Sequence, residues 1–199
     1  MLILPSGRQL QRYKNVVPQG AGISEKVLEW MFEDAKDAKI PPHGWSGGLH
    51  HDETKIQSDL VIDMTNGVPS LIGWVDLGEE ATFLRTLRHK EVQQQLAHEV
   101  INLTFLGYTG FRFPICHFPT SGIKASELHI IIWKAIAKLK DWGFSVDYIM
   151  QDGGSENRSC TNMHFEGNAL DAHYGSSSLI NPREMVYHVQ DYSHNIKKT

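Results

Sequence analysis

The chain has 199 residues, 41% of them apolar, which suits one domain with an appendage or two small ones. Lys and Arg number 19 against 23 Asp and Glu, giving a formal net charge of −4, whereas a stand-alone nucleic-acid binder shows a basic patch. No run approaches the roughly 20 apolar residues of a membrane span, MLILPSGRQL is too short in its apolar part for a secretory signal, and Cys116 and Cys160 form no zinc or disulfide pattern, so a reducing intracellular setting is expected.

Residues 1–45 read as a helical lead-in. LPSGRQLQRYKN offers a turn at Pro5-Ser6-Gly7 and then a short helical stretch. ISEKVLEWMFEDAKDAKI is a better helix, with Val27, Leu28, Met31, Phe32 and Ala35 on one stripe. Ser24 is expected to cap it, with Ile23 stapling against Leu28, and Pro41-Pro42 stop it.

From residue 46 the pattern turns to strands. GGLHHDETKI is a first candidate and DLVID a second; Asn66-Gly67 supplies hairpin chemistry, and SLIGWVDLG follows as a third. HKEVQQQLAHEV is expected to form a short helix running into VINLTFLGYTGFRFPICHF, which Gly107 and Gly110 break into extended pieces. SGIKASELHIIIWKAIAKLKDWGF is the strongest helix. Its buried face is Leu128, Ile131, Ile132, Ala135, Ile136 and Leu139, and Gly143 suits its C-terminal cap.

SVDYIMQDGGSENRSC then reads as a buried strand that ends at Asp152, with two glycines allowing a sharp exit. Ligands of open sheets usually sit at such carboxyl ends; the competing reading of Asp152 is a helix cap. GSENRSCTNMHF is expected to open a short helix, GNALDAHYGSSSLINPRE to be loop, MVYHVQD to be a strand, and YSHNIKKT to begin a helix. QDGGSENR lacks the spacing and the Lys-Ser/Thr end of a P-loop. The result is an α/β arrangement with an antiparallel start.

A meander of three strands followed by helix, strand, helix and strand is the order of the ribonuclease-H-like fold, a mixed sheet with flanking helices. In that fold the first strand lies beside the strand after the first long helix, and this sequence carries an aspartate in each: Asp52 and Asp152. Two carboxylates holding two magnesium ions about 4 Å apart clamp a phosphodiester for in-line attack, and magnesium prefers such hard oxygen ligands.

Six segments in order carry a family resemblance: LPSGRQLQRY, HDETK, SLIGWVDLG, FRFPICHFPTSGIKASEL, GFSVDYIMQDGGSENR and VQDYSHNIKK. On them the chain resembles the RNase H-like region of P element-type transposases, the group that includes THAP-domain transposases. The resemblance implies magnesium-dependent (or manganese-dependent) DDE-type DNA cleavage and strand transfer, DNA and self-association as partners, and action in the nucleus. Asp52 and Asp152 match the first two acids of the family's triad. The third, a glutamate, lies beyond a guanine-nucleotide-binding insertion that follows DYSHNIKK. Residues 46–199 are thus expected to be the N-terminal part of the catalytic core, incomplete at the C-terminus. That part would lack the third acid and the THAP domain, bind no GTP and have little activity alone. His51 departs from the apolar residue the family favours there.

Several dull readings stand beside these. Glu53 is expected on the opposite strand face from Asp52. Asp191 is read first as a cap for the helix beginning at Tyr192, and alternatively as the third acid of an RNase H-like nuclease. Asn157 and Arg158 either contact phosphate or brace the Asp152 loop. The histidines form no metal set, Trp30, Trp74, Trp133 and Trp142 are core, and Cys160 lacks the partner base of a nucleophile. A non-catalytic, domesticated protein-interaction module is the remaining alternative.

Overall fold

The computed structural model describes residues 20–64, 69–88, 94–165 and 175–191. Strand β1 (Gly22–Ile23) leads into helix α1 (Glu25–Asp37) and a 3-10 turn (Pro42–Trp45). Strand β2 (Ser46–Lys55) follows, then a small hairpin of β3 (Val61–Asp63) and β4 (Ser70–Ile72), helix α2 (Gly78–Arg88), and strands β5 (Glu99–Gly107) and β6 (Arg112–Thr120). Helix α3 (Ala125–Asp141), strand β7 (Ser145–Gln151), helix α4 (Ser155–Asn162), and strands β8 (Gly175–Ser177) and β9 (Met185–Gln190) complete the order. One seven-stranded sheet runs β1-β6-β5-β2-β7-β9-β8. β2, β5 and β6 are antiparallel neighbours, while β7 runs parallel to both β2 and β9.

The core follows from residue periodicity. Ile101, Leu103 and Phe105 alternate along β5 and are fully buried, as a half-covered strand requires. They meet the expected stripe of α3, in which all six residues from Leu128 to Leu139 are buried. The α3 C-terminus closes as a Schellman motif: Gly143 adopts φ +85°, and the amides of Phe144 and Gly143 donate to the carbonyls of Leu139 and Lys140. Helix α1 contributes Leu28, Met31 and Ala35 to the same buried cluster, and the edge-on pair Trp30–Phe113, 5.0 Å between centroids, ties it to β6. Ser24 stands at the N-cap of α1 but makes no side-chain cap bond; its carbonyl accepts from Val27 and Leu28 instead.

Four sequence expectations change. DLVID and SLIGWVDLG do not join the main sheet: β3 and β4 pair only with each other, and the central meander is β2, β5 and β6. Val61, Ile62, Leu71 and Ile72 of that hairpin are exposed. Residues 89–93 of HKEVQQQLAHEV, where a short helix was expected, lie outside the described residues, and the described helix before them is α2. There Asp76 Oδ1 accepts from the Gly78 amide at 2.9 Å, and Glu79–Glu80 at the start with Arg85 and Arg88 at the end suit the helix dipole. Residues 94–98 are extended, with Trp74 bridging to Leu96. The loop-like stretch contains β8, paired antiparallel with β9. The turn and helix expected near residues 5–15, the Asn66-Gly67 turn and the helix from Tyr192 lie outside the described residues.

Two close approaches hold the centre of the sheet. A Cβ on Gly47 would stand 2.1 Å from the Leu106 carbonyl oxygen, and one on Gly48 would stand 2.1 Å from the Tyr148 ring. Between helices, Arg85 forks onto Glu127 with bonds of 2.9 and 2.7 Å. Glu127 is 2% exposed. Burial pushes its carboxyl up, but the Arg85 guanidinium and the Lys124 amide outweigh that and hold it below the usual range.

Gly47→Ala is expected to destabilise the protein by about 2 kcal/mol or more, because backbone cannot yield as a side chain can; chemical denaturation measures it. Arg85→Met is expected to cost about 3 kcal/mol at pH 7 by stranding a buried carboxylate. A carboxyl with a lowered folded pKa loses its contribution as pH falls through that pKa. The gap between wild type and Arg85→Met should therefore narrow in denaturation curves taken at successively lower pH.

Candidate metal centre

The placement of the two aspartates begins with the ladder between β2 and β7. Ser46 pairs with Ser145 and Gly47 with Val146, and then the register shifts so that Gly48 pairs with Tyr148, leaving Asp147 as an extra residue. Leu49 then faces Ile149 and His50 faces Met150. Two residues further along each chain stand Asp52 and Asp152, so the bulge aligns them. Without that extra residue, Asp52 would run level with Gln151. Alternation puts Leu49, His51, Ile149 and Gln151 on the helix-covered face and His50 and Asp52 on the other. Glu53 falls on the face opposite Asp52, as the sequence predicts.

Asp152 sits in the exit turn between β7 and α4. Its Oδ1 accepts from the Gly154 amide at 2.8 Å and from Asn157 Nδ2 at 2.5 Å. Arg158 Nη1 donates to the Gly153 carbonyl. Gly154 itself is the N-cap of α4, so Asp152 braces the turn before the helix rather than capping it directly. Asn157 and Arg158 both brace this loop. Glu156, in the first turn of α4, accepts from the Ala125 amide at 3.0 Å and fastens the loop to the start of α3.

Beneath the acids lies a buried polar network. His51 and Gln151 are each 2% exposed, and His51 Nε2 lies 3.0 Å from Gln151 Oε1. The Gln151 amide nitrogen donates to the Asn157 carbonyl at 3.1 Å and to Thr161 Oγ1 at 2.5 Å. Burial lowers the His51 pKa against the opposing pull of Gln151 and the two aspartates. His51 therefore fits the strand as a neutral, bonded residue. Gln151 and Thr161 were not singled out by sequence reasoning; the available signal was a glutamine at an inward position of an otherwise apolar strand.

Negative potential accumulates at this end of the sheet. Burial raises the Glu53 pKa, and Glu99, Asp152 and Asp52 push it further the same way. A carboxylate pair in that field suits a hard divalent cation, since His51 is turned inward to Gln151 and the donors are oxygens. Asp191 follows β9 and donates its amide to the Gln151 carbonyl at 2.7 Å, one strand beyond Asp152. Among the described residues, no three His, Cys, Asp or Glu side chains gather into a set able to hold a metal.

The remaining histidines and cysteines pack. His129, His164 and His188 stand ring to ring, 4.7 and 4.9 Å between centroids. Trp133 Nε1 donates to His164 Nε2 at 2.6 Å, which fixes the His164 proton on Nδ1, toward the Cys160 carbonyl. Burial, with His164 and His51 nearby, brings His188 down to about 4. Burial also pushes the Cys160 thiol up to about 12, which removes it as a nucleophile at neutral pH.

Comparison with solved structures finds the same fold in the Drosophila P element transposase strand transfer complex. The TM-score is 0.65 at 17% identity, over 98% of this chain and 36% of that one. The chain therefore spans little more than a third of that transposase chain's length. A search of curated protein sequences finds no significant match. The family profile described as TNP-like, RNase H N-terminal domain matches residues 20–164, including both Asp52 and Asp152. A seven-stranded mixed sheet in RNase H order and a profile covering most of the sequence agree: the chain belongs to the TNP-like RNase H N-terminal domain family.

Proposed function

We propose that this chain is part of the catalytic core of a DNA transposase, in which Asp52 and Asp152 hold magnesium for phosphodiester cleavage and strand transfer. The observation that carries the reading is the bulged parallel register of β2 and β7, which runs the two aspartates level at one end of the sheet. Family membership and the P element transposase fold support DNA as the substrate of the intact protein.

When bound, the divalent ions supply an activated attacking oxygen and charge stabilisation at the phosphate. The chain's own contribution is to present carboxylates in fixed orientation. Asn157 and the Gly154 amide hold Oδ1 of Asp152, and the ladder with β5, where Asp52 faces Asn102, holds the other. With a net charge of −4, most of the grip on DNA phosphates falls to other parts of the assembly. The same reading places the protein in the nucleus and in self-associated complexes. Guanine nucleotide is a ligand of the full-length family member rather than of this chain.

One observation favours a second reading, a protein-interaction module. Val61, Ile62, Leu71 and Ile72 of the β3–β4 hairpin are each about half exposed or more, at 52%, 66%, 49% and 51%. Such clustered apolar exposure marks interaction surfaces. Partner capture that survives Asp52→Ala and Asp152→Ala and is lost with Ile62→Asp would favour it.

Mn2+ titration followed by electron paramagnetic resonance should show binding that weakens at least about tenfold in Asp52→Asn and in Asp152→Asn, since each removes an anionic ligand. Two carboxylates hold a metal pair loosely. The 199-residue polypeptide is accordingly expected to nick supercoiled plasmid weakly or not at all in Mg2+. Vigorous Mg2+-dependent nicking abolished by Asp152→Ala would show instead that it needs no further acid.

A further inference from the structure

We propose that Gln151 is a positioning residue: with His51 it sets the spacing and orientation of Asp52 and Asp152 and so tunes how tightly they hold a divalent ion. The inference rests on the assignment of those aspartates as metal ligands and concerns residues that do not touch the metal. Its basis is where the bridge occurs. His50 and Met150 form the last paired step of the β2–β7 ladder. Gln151 ends β7, and Asp152 already belongs to the exit turn. The side-chain bond between His51 and Gln151 is therefore the last cross-strand tie before the acids.

The bonds then continue without a gap. Gln151 Oε1 takes up His51; both amide hydrogens of Gln151 are used, one on the Asn157 carbonyl and one on Thr161. Asn157 in turn holds Oδ1 of Asp152. The path thus runs from the neighbour of one acid through the His51 and Gln151 side chains to the backbone carbonyl of Asn157, whose side-chain amide holds the carboxylate of the other. The inward residues that precede His51 and Gln151, namely Leu49 and Ile149, are apolar and fully buried. Two leucines at 51 and 151 would remove both partners of the His51–Gln151 bond, a change often near neutral for stability, and would leave the Asn157 carbonyl and the Thr161 hydroxyl to the bonds of their own helix. Stability alone does not call for the pair, whereas outer partners that orient metal ligands commonly change affinity by about 10–100-fold.

The test uses the full 199-residue chain and Mn2+ alone as probe, read by the free-ion paramagnetic resonance signal below the melting transition of every variant. Gln151→Leu and the double variant His51→Leu/Gln151→Leu should bind Mn2+ about tenfold more weakly. The double variant should melt close to wild type. Leu139→Ala, a buried truncation in α3, should melt earlier yet keep wild-type affinity, separating positioning from general loosening. Should Gln151→Leu not fold, Thr161→Val removes one Gln151 acceptor and should still lower affinity. Wild-type Mn2+ affinity in folded Gln151→Leu or Thr161→Val overturns the inference while leaving the metal site standing. Absence of aspartate-dependent Mn2+ binding in the wild type overturns both.

Discussion

The parallel pairing of β2 with β7 is the contact on which the site depends. It joins segments almost a hundred residues apart, and it is correct only with one extra residue at Asp147. Side chains on a strand alternate with period two, so a slip of one residue would turn Asp52 or Asp152 to the helix-covered face. Two features hold the register: Tyr148 lying over Gly48, and the His51–Gln151 bond at the far end.

The helices supply the rigidity that two strands lack. α3 buries one face of the sheet and presents its first turn to the Asp152 loop, where the Ala125 amide meets Glu156. The same turn is locked to α2 by Arg85 and Glu127. The acids themselves stay at the rim of this frame, where like charge concentrates.

The buried polar groups divide into two kinds. His164, His188 and Trp133 form a packed layer whose bonds fix one tautomer and whose burial keeps the rings neutral. His51, Gln151 and Asn157 lie in line with the acids and end on one of them. Both kinds satisfy donors and acceptors removed from water. Only the second connects to the aspartates proposed as metal ligands.

Much of this was legible in the sequence. Helical periodicity in α1 and α3, the glycine at the end of α3, the strand before Asp152 and the family's ordered segments are local signals, each set by a few neighbouring residues. Asp152 was legible as the end of a strand followed by two glycines, and Asp52 was picked out by fold order and family resemblance; their role as metal ligands is proposed. What the tertiary structure decided was pairing. Nothing in DLVID or SLIGWVDLG says that they leave the main sheet, since apolar residues with strand propensity look alike whether buried or exposed. Nothing in SVDYIMQ shows that Asp147 bulges, and His51 looked out of place until Gln151 stood beside it. Local propensity names the elements; which groups meet is fixed by register and burial across long sequence distances, where single residues carry no visible mark.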